Sequence, residues 1–156
     1  MLQPTRIVSD SKEYISDEAA SQFDNVPKGT LLASFKLTLG RMVFAGKDLR
    51  TNEAIAALHN DEKLILNEYL YYYLSYFDWN KYAAADKKVK GLTLNKAKLS
   101  VLPVRYAKSL HDQQKVVDSL NLAFKVIDQS SNLRNEKLVK IYKLKQSLLA
   151  EAFSVQ

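Results

Sequence analysis

The sequence contains no cysteine, so disulfide staples and cysteine-ligated zinc are excluded. Its two histidines, His59 and His111, stand far apart, too few for a metal site or a nucleophile–histidine pair. The four glycines, Gly29, Gly40, Gly46 and Gly91, form neither a Gly-x-x-x-x-Gly-Lys loop nor a Gly-x-Gly-x-x-Gly turn, so no phosphate-cradling loop is encoded. No apolar run approaches the roughly 18 residues that a membrane span needs. The first residues, Met1 to Tyr14, lack the apolar core of a signal peptide. Carboxylates occur, but in no recognisable acid/base arrangement. These absences point to a binding protein rather than an enzyme, expected in the cytoplasm.

What is present suits one domain, or one domain plus an appended element: 156 residues, 47% of them apolar. The net charge of +6 is unevenly placed. Residues 1–27 hold two basic and five acidic side chains, residues 28–110 hold 14 and 7, and residues 111–156 hold seven and five. A basic excess confined to the middle of a chain suits a polyanion, most simply nucleic acid. A lysine-rich solvated surface would read the same way.

Local signals divide the chain. Ser16 is placed to cap a short helix, with Asp17 and Glu18 in its first turn. Val-Pro-Lys-Gly-Thr at 26–30 reads as a turn. Residues 30–36, 41–46 and 53–59 read as three strands, and Asn60-Asp61 as the turn after them. Asn67 is a candidate N-cap, with Leu66 stapling against Tyr71. The helix that follows is dense in aromatics: five of the nine tyrosines and the only tryptophan fall between Glu68 and Trp79. Helical spacing puts Leu70, Tyr73, Leu74 and Phe77 on one core stripe and leaves Tyr72, Tyr76 and Trp79 off it. A core stripe is the favoured reading over a base-stacking platform, because stacked bases are mainly a single-strand feature. Residues 99–104 read as a short strand stopped by Pro103.

The last third contains neither glycine nor proline from Asp112 to Phe153, and Ser109 with Asp112 fits a Ser-x-x-Asp cap at its start. Forty-two helical residues would span roughly 60 Å at 1.5 Å each. Leu120, Phe124, Ile127, Leu138, Ile141, Leu148 and Ala152 keep a heptad seam, interrupted by Ser131, Arg134 and Lys145. Such a seam needs a partner helix. The polar stretch 128–132 is either a register device or a break into two shorter helices.

Six segments, in this order, resemble the specificity subunits of type I restriction–modification systems. They are Lys-Gly-Thr-Leu-Leu-Ala-Ser-Phe-Lys-Leu-Thr-Leu-Gly-Arg (28–41), Thr-Asn-Glu-Ala-Ile-Ala-Ala-Leu (51–58) and Leu-Asn-Glu-Tyr-Leu-Tyr-Tyr-Tyr-Leu-Ser (66–75). They continue with the Gly-Leu-Thr-Leu…Leu-Pro-Val segment (91–104), His-Asp-Gln-Gln-Lys-Val-Val (111–117) and Leu-Lys-Gln-Ser-Leu-Leu-Ala-Glu-Ala-Phe-Ser (144–154). The last of these is the most specific. The resemblance implies an α+β fold: a target-recognition domain over residues 1–108, short at its N-terminus, then a long spacer or dimerisation helix over 109–156 that pairs antiparallel. It also implies a non-catalytic, prokaryotic cytoplasmic subunit that reads double-stranded DNA. Methyltransferase (modification) subunits, which supply the S-adenosylmethionine chemistry, and a restriction subunit would be its partners, with no cofactor bound by this chain. The family carries two domains and two helices where this chain carries one of each. A half-subunit, homodimeric through the helix, is therefore one expectation. A non-reading scaffold or inhibitory fragment is the other.

On this reading the candidate DNA-contacting residues are Lys36, Thr38 and Arg41 in a glycine-assisted turn, Lys47, Arg50, and the basic loop residues Lys87, Lys88 and Lys90. Arg50 and Asn52 have the chemistry to read guanine and adenine edges, but a structural role is the favoured one for both. Each of these basic segments also has a plainer reading as a solvated turn or loop.

Overall fold

The computed structural model describes residues 7–11, 14–36, 38–85 and 92–154. The chain divides into two units, Met1–Asp118 and Ser119–Gln156. The architecture is α+β, a four-stranded sheet with helices that include a long C-terminal one.

The sheet of the first unit contains β1 (Ile7–Val8), β2 (Leu31–Ser34), β3 (Met42–Ala45) and β4 (Ile55–Leu58), in the order β1-β3-β2-β4. Strand β2 lies antiparallel to both β3 and β4, while β1 runs parallel to β3. Leu31, Leu32 and Ala33 are all buried. A central strand covered on both faces has no polar side, which is why this stretch is continuously apolar rather than alternating. On one face Val26, Leu32 and Ala45 form a core, joined by Val8, Val43, Leu49, Ile55 and Ala57. On the other, Leu31 pairs across to Phe44, whose ring lies 5.6 Å from that of Tyr71 on helix α2 (Asn67–Tyr76).

The turn before β2 is built as the sequence suggests. Gly29 takes φ 87°, and the Lys28 amide donates to Asp48 Oδ1 at 2.9 Å. That hydrogen bond, followed by one from Asn25, holds the Asp48 carboxyl below its ordinary pKa. The short helix α1 (Asp17–Ala20) is capped by Ser16, whose side chain accepts from the Ala19 amide. After α2 come a single 3-10 turn (Trp79–Lys81), the antiparallel pair β5 (Ala84–Ala85) and β6 (Leu92–Thr93), and helix α3 (Lys96–Ser100). Helix α4 (Leu110–Phe153) begins at the anticipated cap, with the Asp112 amide donating to Ser109 Oγ at 3.3 Å.

Three strands, the Ser16 cap, the 26–30 turn and the long helix follow the sequence reading. Three details differ, and one left open is decided. Residues 99–104 are not a strand: Asn95 Oδ1 accepts the Lys98 amide at 2.7 Å and caps α3, and the good helix formers that follow carry it to Ser100. Asn67 is the first helical residue rather than the cap, because Leu66 is held extended and gives its amide to Gln113 Oε1 at 2.8 Å. Asn67 uses its own side-chain amide on Glu62. The buried face of α2 is Leu70, Tyr71, Tyr72 and Leu74, with Tyr73 and Phe77 only half-buried. Of the two alternatives left open at 128–132, the break into two shorter helices falls away, since α4 runs through the stretch uninterrupted. Ser and Asn cost only a few tenths of a kcal/mol each against better helix formers, whereas proline costs about 3.

Candidate nucleic-acid interface

The β2–β3 connection carries Lys36, Thr38 and Arg41. It is closed by main-chain bonds from the Ser34 amide to Arg41 O (2.8 Å) and from the Gly40 amide to Ser34 O (3.0 Å). The Ser34 and Thr38 hydroxyls lie 3.2 Å apart, and the Thr38 amide donates to Lys36 O at 2.7 Å. Phe35, almost fully buried, anchors the turn. Its amide donates to Ala54 O and its carbonyl accepts from the Leu94 amide, both at 3.0 Å.

Beneath the turn lies Trp79. Gly40 takes φ 72°, and a Cβ there would sit 2.5 Å from the indole. The indole cannot swing aside freely, because Nε1 donates to Leu74 O at 2.9 Å in a buried setting. The Phe77 ring packs edge-on against Trp79 at 5.6 Å and stacks on Tyr82 at 5.1 Å. The aromatic-rich stretch is thus a floor for the basic turn. Sequence reasoning left Trp79 off the core stripe; the signal that it is a floor is the glycine at 40, which becomes legible only once the two segments are seen in contact.

The basic candidates separate into three groups. Thr38 and Arg41 are exposed, and Lys36 is half-buried with its ammonium 5.9 Å from the Phe35 ring centre. Among the described residues the Arg41 guanidinium has no ion pair or hydrogen bond. Lys47 and Arg50 are engaged within the protein. Lys47 Nζ meets Asp10 Oδ1 at 2.9 Å, and the same oxygen accepts the Tyr14 hydroxyl at 2.6 Å. Tyr14 first, then Lys47, hold the Asp10 carboxyl well below the usual carboxylate range, and the same contact raises the pKa values of Tyr14 and Lys47. Arg50 donates to Ala20 O, Leu49 O and Asn25 Oδ1, tying α1 to the isolated bridge between Val26 and Leu49. Asn52 Oδ1 accepts the Ala54 amide at 3.0 Å, a local turn bond. Lys87, Lys88 and Lys90 lie outside the described residues.

In the second unit α4 exposes much more apolar surface than the seam read from the sequence. Ile127, Leu138, Ile141 and Leu148 are exposed, as is Ala152, while Leu120 and Phe124 are half-buried. Leu133, Val139, Tyr142, Leu144, Leu149 and Phe153 are exposed beside them. A second feature of α4 belongs to the first unit and was missed altogether. Gln113 is fully buried, accepts from the Leu66 amide, and donates to Leu64 O (2.8 Å) and Ala107 O (2.7 Å). Val117, one turn on, is equally buried.

A turn that displays an arginine without a partner among the described residues and a helix with an exposed apolar seam are features of a chain that binds, and comparison with known proteins says what kind. Residues 4–141 match the family model described as the type I restriction modification DNA specificity domain. The chain belongs to this family of DNA specificity domains. A chain from Haemophilus influenzae (strain ATCC 51907 / DSM 11121 / KW20 / Rd), named as a type I restriction enzyme specificity subunit, is 27% identical over 143 residues. Those residues are 87% of this chain and 36% of the relative, so this specificity domain spans about a third of that subunit's length. Among the described residues no helix is long and apolar enough to cross a membrane.

Proposed function

We propose that this chain supplies one DNA-reading half of a type I restriction–modification complex and performs no chemistry itself. Double-stranded DNA would lie against the β2–β3 turn, with Arg41 and Lys36 on phosphates and Thr38 beside them. The observation that carries this is the Arg41 guanidinium, without an ion pair or hydrogen bond among the described residues and held on a turn whose base is fixed by Phe35 and Trp79. Lys47 would serve phosphate only by exchanging Asp10 for it, and Arg50 acts by shaping the wall that holds α1. Methyltransferase subunits, carrying their S-adenosylmethionine, and a restriction subunit are the partners this role requires.

The uncovered seam of α4 supports pairing with a second helix of the same kind, and the residues favour one geometry. In a parallel, in-register pair Arg134 would face Arg134 and Lys145 would face Lys145, like charges on the seam. An antiparallel pair centred between Asn132 and Leu133 instead sets Ile127 against Leu138 and Phe124 against Ile141. Ser131 then meets Arg134, and Lys145 lays its aliphatic stem along Leu120. The simplest closed assembly is a two-fold dimer, which would read a split palindrome.

The engagement of Lys47 and Arg50 within the fold is the observation that favours the other reading, a scaffold that binds sister subunits without reading DNA. Gel-shift titration at low salt, with methyltransferase subunit present, separates the two. For a reader, Arg41→Glu weakens DNA binding and lowers the salt dependence by about one phosphate contact. If Arg41→Glu leaves DNA binding and complex activity untouched while Leu138→Asp abolishes assembly, the scaffold reading wins.

A further inference from the structure

A groove of about 860 Å³ in the first unit is not used by the function proposed above. Ile55, Ala56, Ala57, Leu58 and His59 all line it in succession. Successive residues of a strand point to opposite faces, so a groove that touches all five runs along the strand's edge. Strand β4 is the terminal strand of the sheet, so among the described residues that edge is open. The alternation of its main-chain groups is fixed by the bond from the Phe35 amide to Ala54 O. Ala54, Ala56 and Leu58 turn their main-chain groups toward β2, and Ile55 and Ala57 turn theirs to the groove. The Ile55 amide is taken by Asn52 O, whereas among the described residues neither main-chain group of Ala57 has a partner, leaving both open to an incoming strand.

The walls say what kind of strand fits. The floor includes Leu70, Leu74 and Trp79, and three large side chains of the lining, Phe23, Leu64 and Tyr106, stay exposed. The carboxylates Asp24, Glu53 and Asp61 line the groove and, among the described residues, no lysine or arginine does, in a chain whose net charge is +6. A groove of that sign repels DNA phosphate and attracts a cationic peptide. The geometry points to the β4 edge as a docking site for an extended segment of a partner protein that alternates apolar and basic residues. It adds as a fifth strand through Ala57, sets its apolar side chains on the floor and its lysines or arginines against Asp24 and Glu53.

The test uses the full chain and a synthetic acetylated peptide, Lys-Val-Lys-Val-Thr-Val-Lys-Val. Its partners are the same peptide with glutamate for lysine and the same peptide N-methylated at alternate residues. On titration, the Ala57 and His59 amide resonances are expected to shift and the Ala57 amide to gain protection from exchange. The glutamate peptide should bind at least tenfold more weakly, and N-methylation should abolish binding. Asp24→Lys with Glu53→Lys, both at exposed positions, should weaken the lysine peptide at least tenfold while leaving the thermal midpoint unchanged. Equal binding of the lysine and glutamate peptides, or shifts that bypass Ala57, overturns the proposal. So does protection of Ala57 that grows with protein concentration alone, since the edge would then be occupied by a second copy.

Discussion

Gly40→Ala measures how firmly the basic turn is seated, and Gly29→Ala provides its control. Both glycines have positive φ, 72° and 87°, so alanine at either carries the left-handed backbone cost of roughly 1–2 kcal/mol. At Gly29 a Cβ meets nothing within 4 Å, so that cost is the whole effect. At Gly40 the Cβ would lie 2.5 Å from indole atoms Cδ1 and Nε1, far inside contact distance. Relief requires moving a buried side chain that is also hydrogen-bonded to Leu74 O, an overpacking that costs typically 1–3 kcal/mol more. The expected losses are therefore about 1–2 kcal/mol for Gly29→Ala and about 2–5 kcal/mol for Gly40→Ala. Urea unfolding followed by fluorescence reads both, and since Trp79 is the sole tryptophan, the native emission reports on the contact directly. Gly40→Ala should shift that emission and Gly29→Ala should not. Equal losses with unchanged emission in both variants would refute the seating of the turn on Trp79.

Gln113→Ala strands the Leu66 amide and two carbonyls, and should cost about 3 kcal/mol in urea unfolding at 1–3 kcal/mol for each poorly rehydrated group. Gln113→Glu keeps the acceptor but loses both donated bonds, and its deficit should shrink as pH falls and the carboxyl regains a proton. Asp10 has a depressed folded pKa, so its contribution is present above the ordinary carboxylate value of about 3.9 and lost as pH falls through the folded value. The stability gap between the natural chain and Asp10→Asn should accordingly narrow below about pH 4, as read by thermal unfolding across pH. Lys47 and Tyr14 have raised values, so the same contact fades at the alkaline end. Because the chain has no cysteine, Ile127→Cys and Leu138→Cys can be mixed and treated with a short bismaleimide. The antiparallel pair gives the mixed dimer, and a parallel pair gives crosslinks within each single variant instead.

Much of this was legible because the features were local. The strands β2, β3 and β4 are apolar runs bounded by turns, the Ser16 and Ser109 caps lie three residues from the amides they accept, and α4 is a long stretch free of helix breakers. The misses come from interactions that cross the chain. Strand β1 is two residues long, too short for any alternation, and is accepted because Gly46 leaves room at Val8 O. Tyr71 is buried with its ring against Phe44 of β3, and Tyr72 is buried with its ring edge-on to Tyr71, which the spacing along α2 could not say. Residues 99–104 are apolar enough for a strand, but Asn95 caps a helix just upstream and Tyr73 hydroxyl donates to Pro103 O at 3.1 Å. In the candidate interface the sequence supplied the basic residues. Which of them are committed depended on partners 25 to 37 residues away, Asn25 for Arg50 and Asp10 for Lys47.

The buried Gln113 also sets a schedule for synthesis. The paired strands β2, β3 and β4 lie within residues 31–58, so they can associate as soon as that segment leaves the ribosome. The groups just ahead of α2 have no such early partner, since Leu64 O and the Leu66 amide await a side chain 49 and 47 residues further along. A nascent chain paused before residue 113 would hold a formed three-stranded sheet of β3, β2 and β4 with the start of α2 loose. Pulse-labelling by hydrogen exchange during refolding should find the β2 amides protected first and the Leu66 amide last.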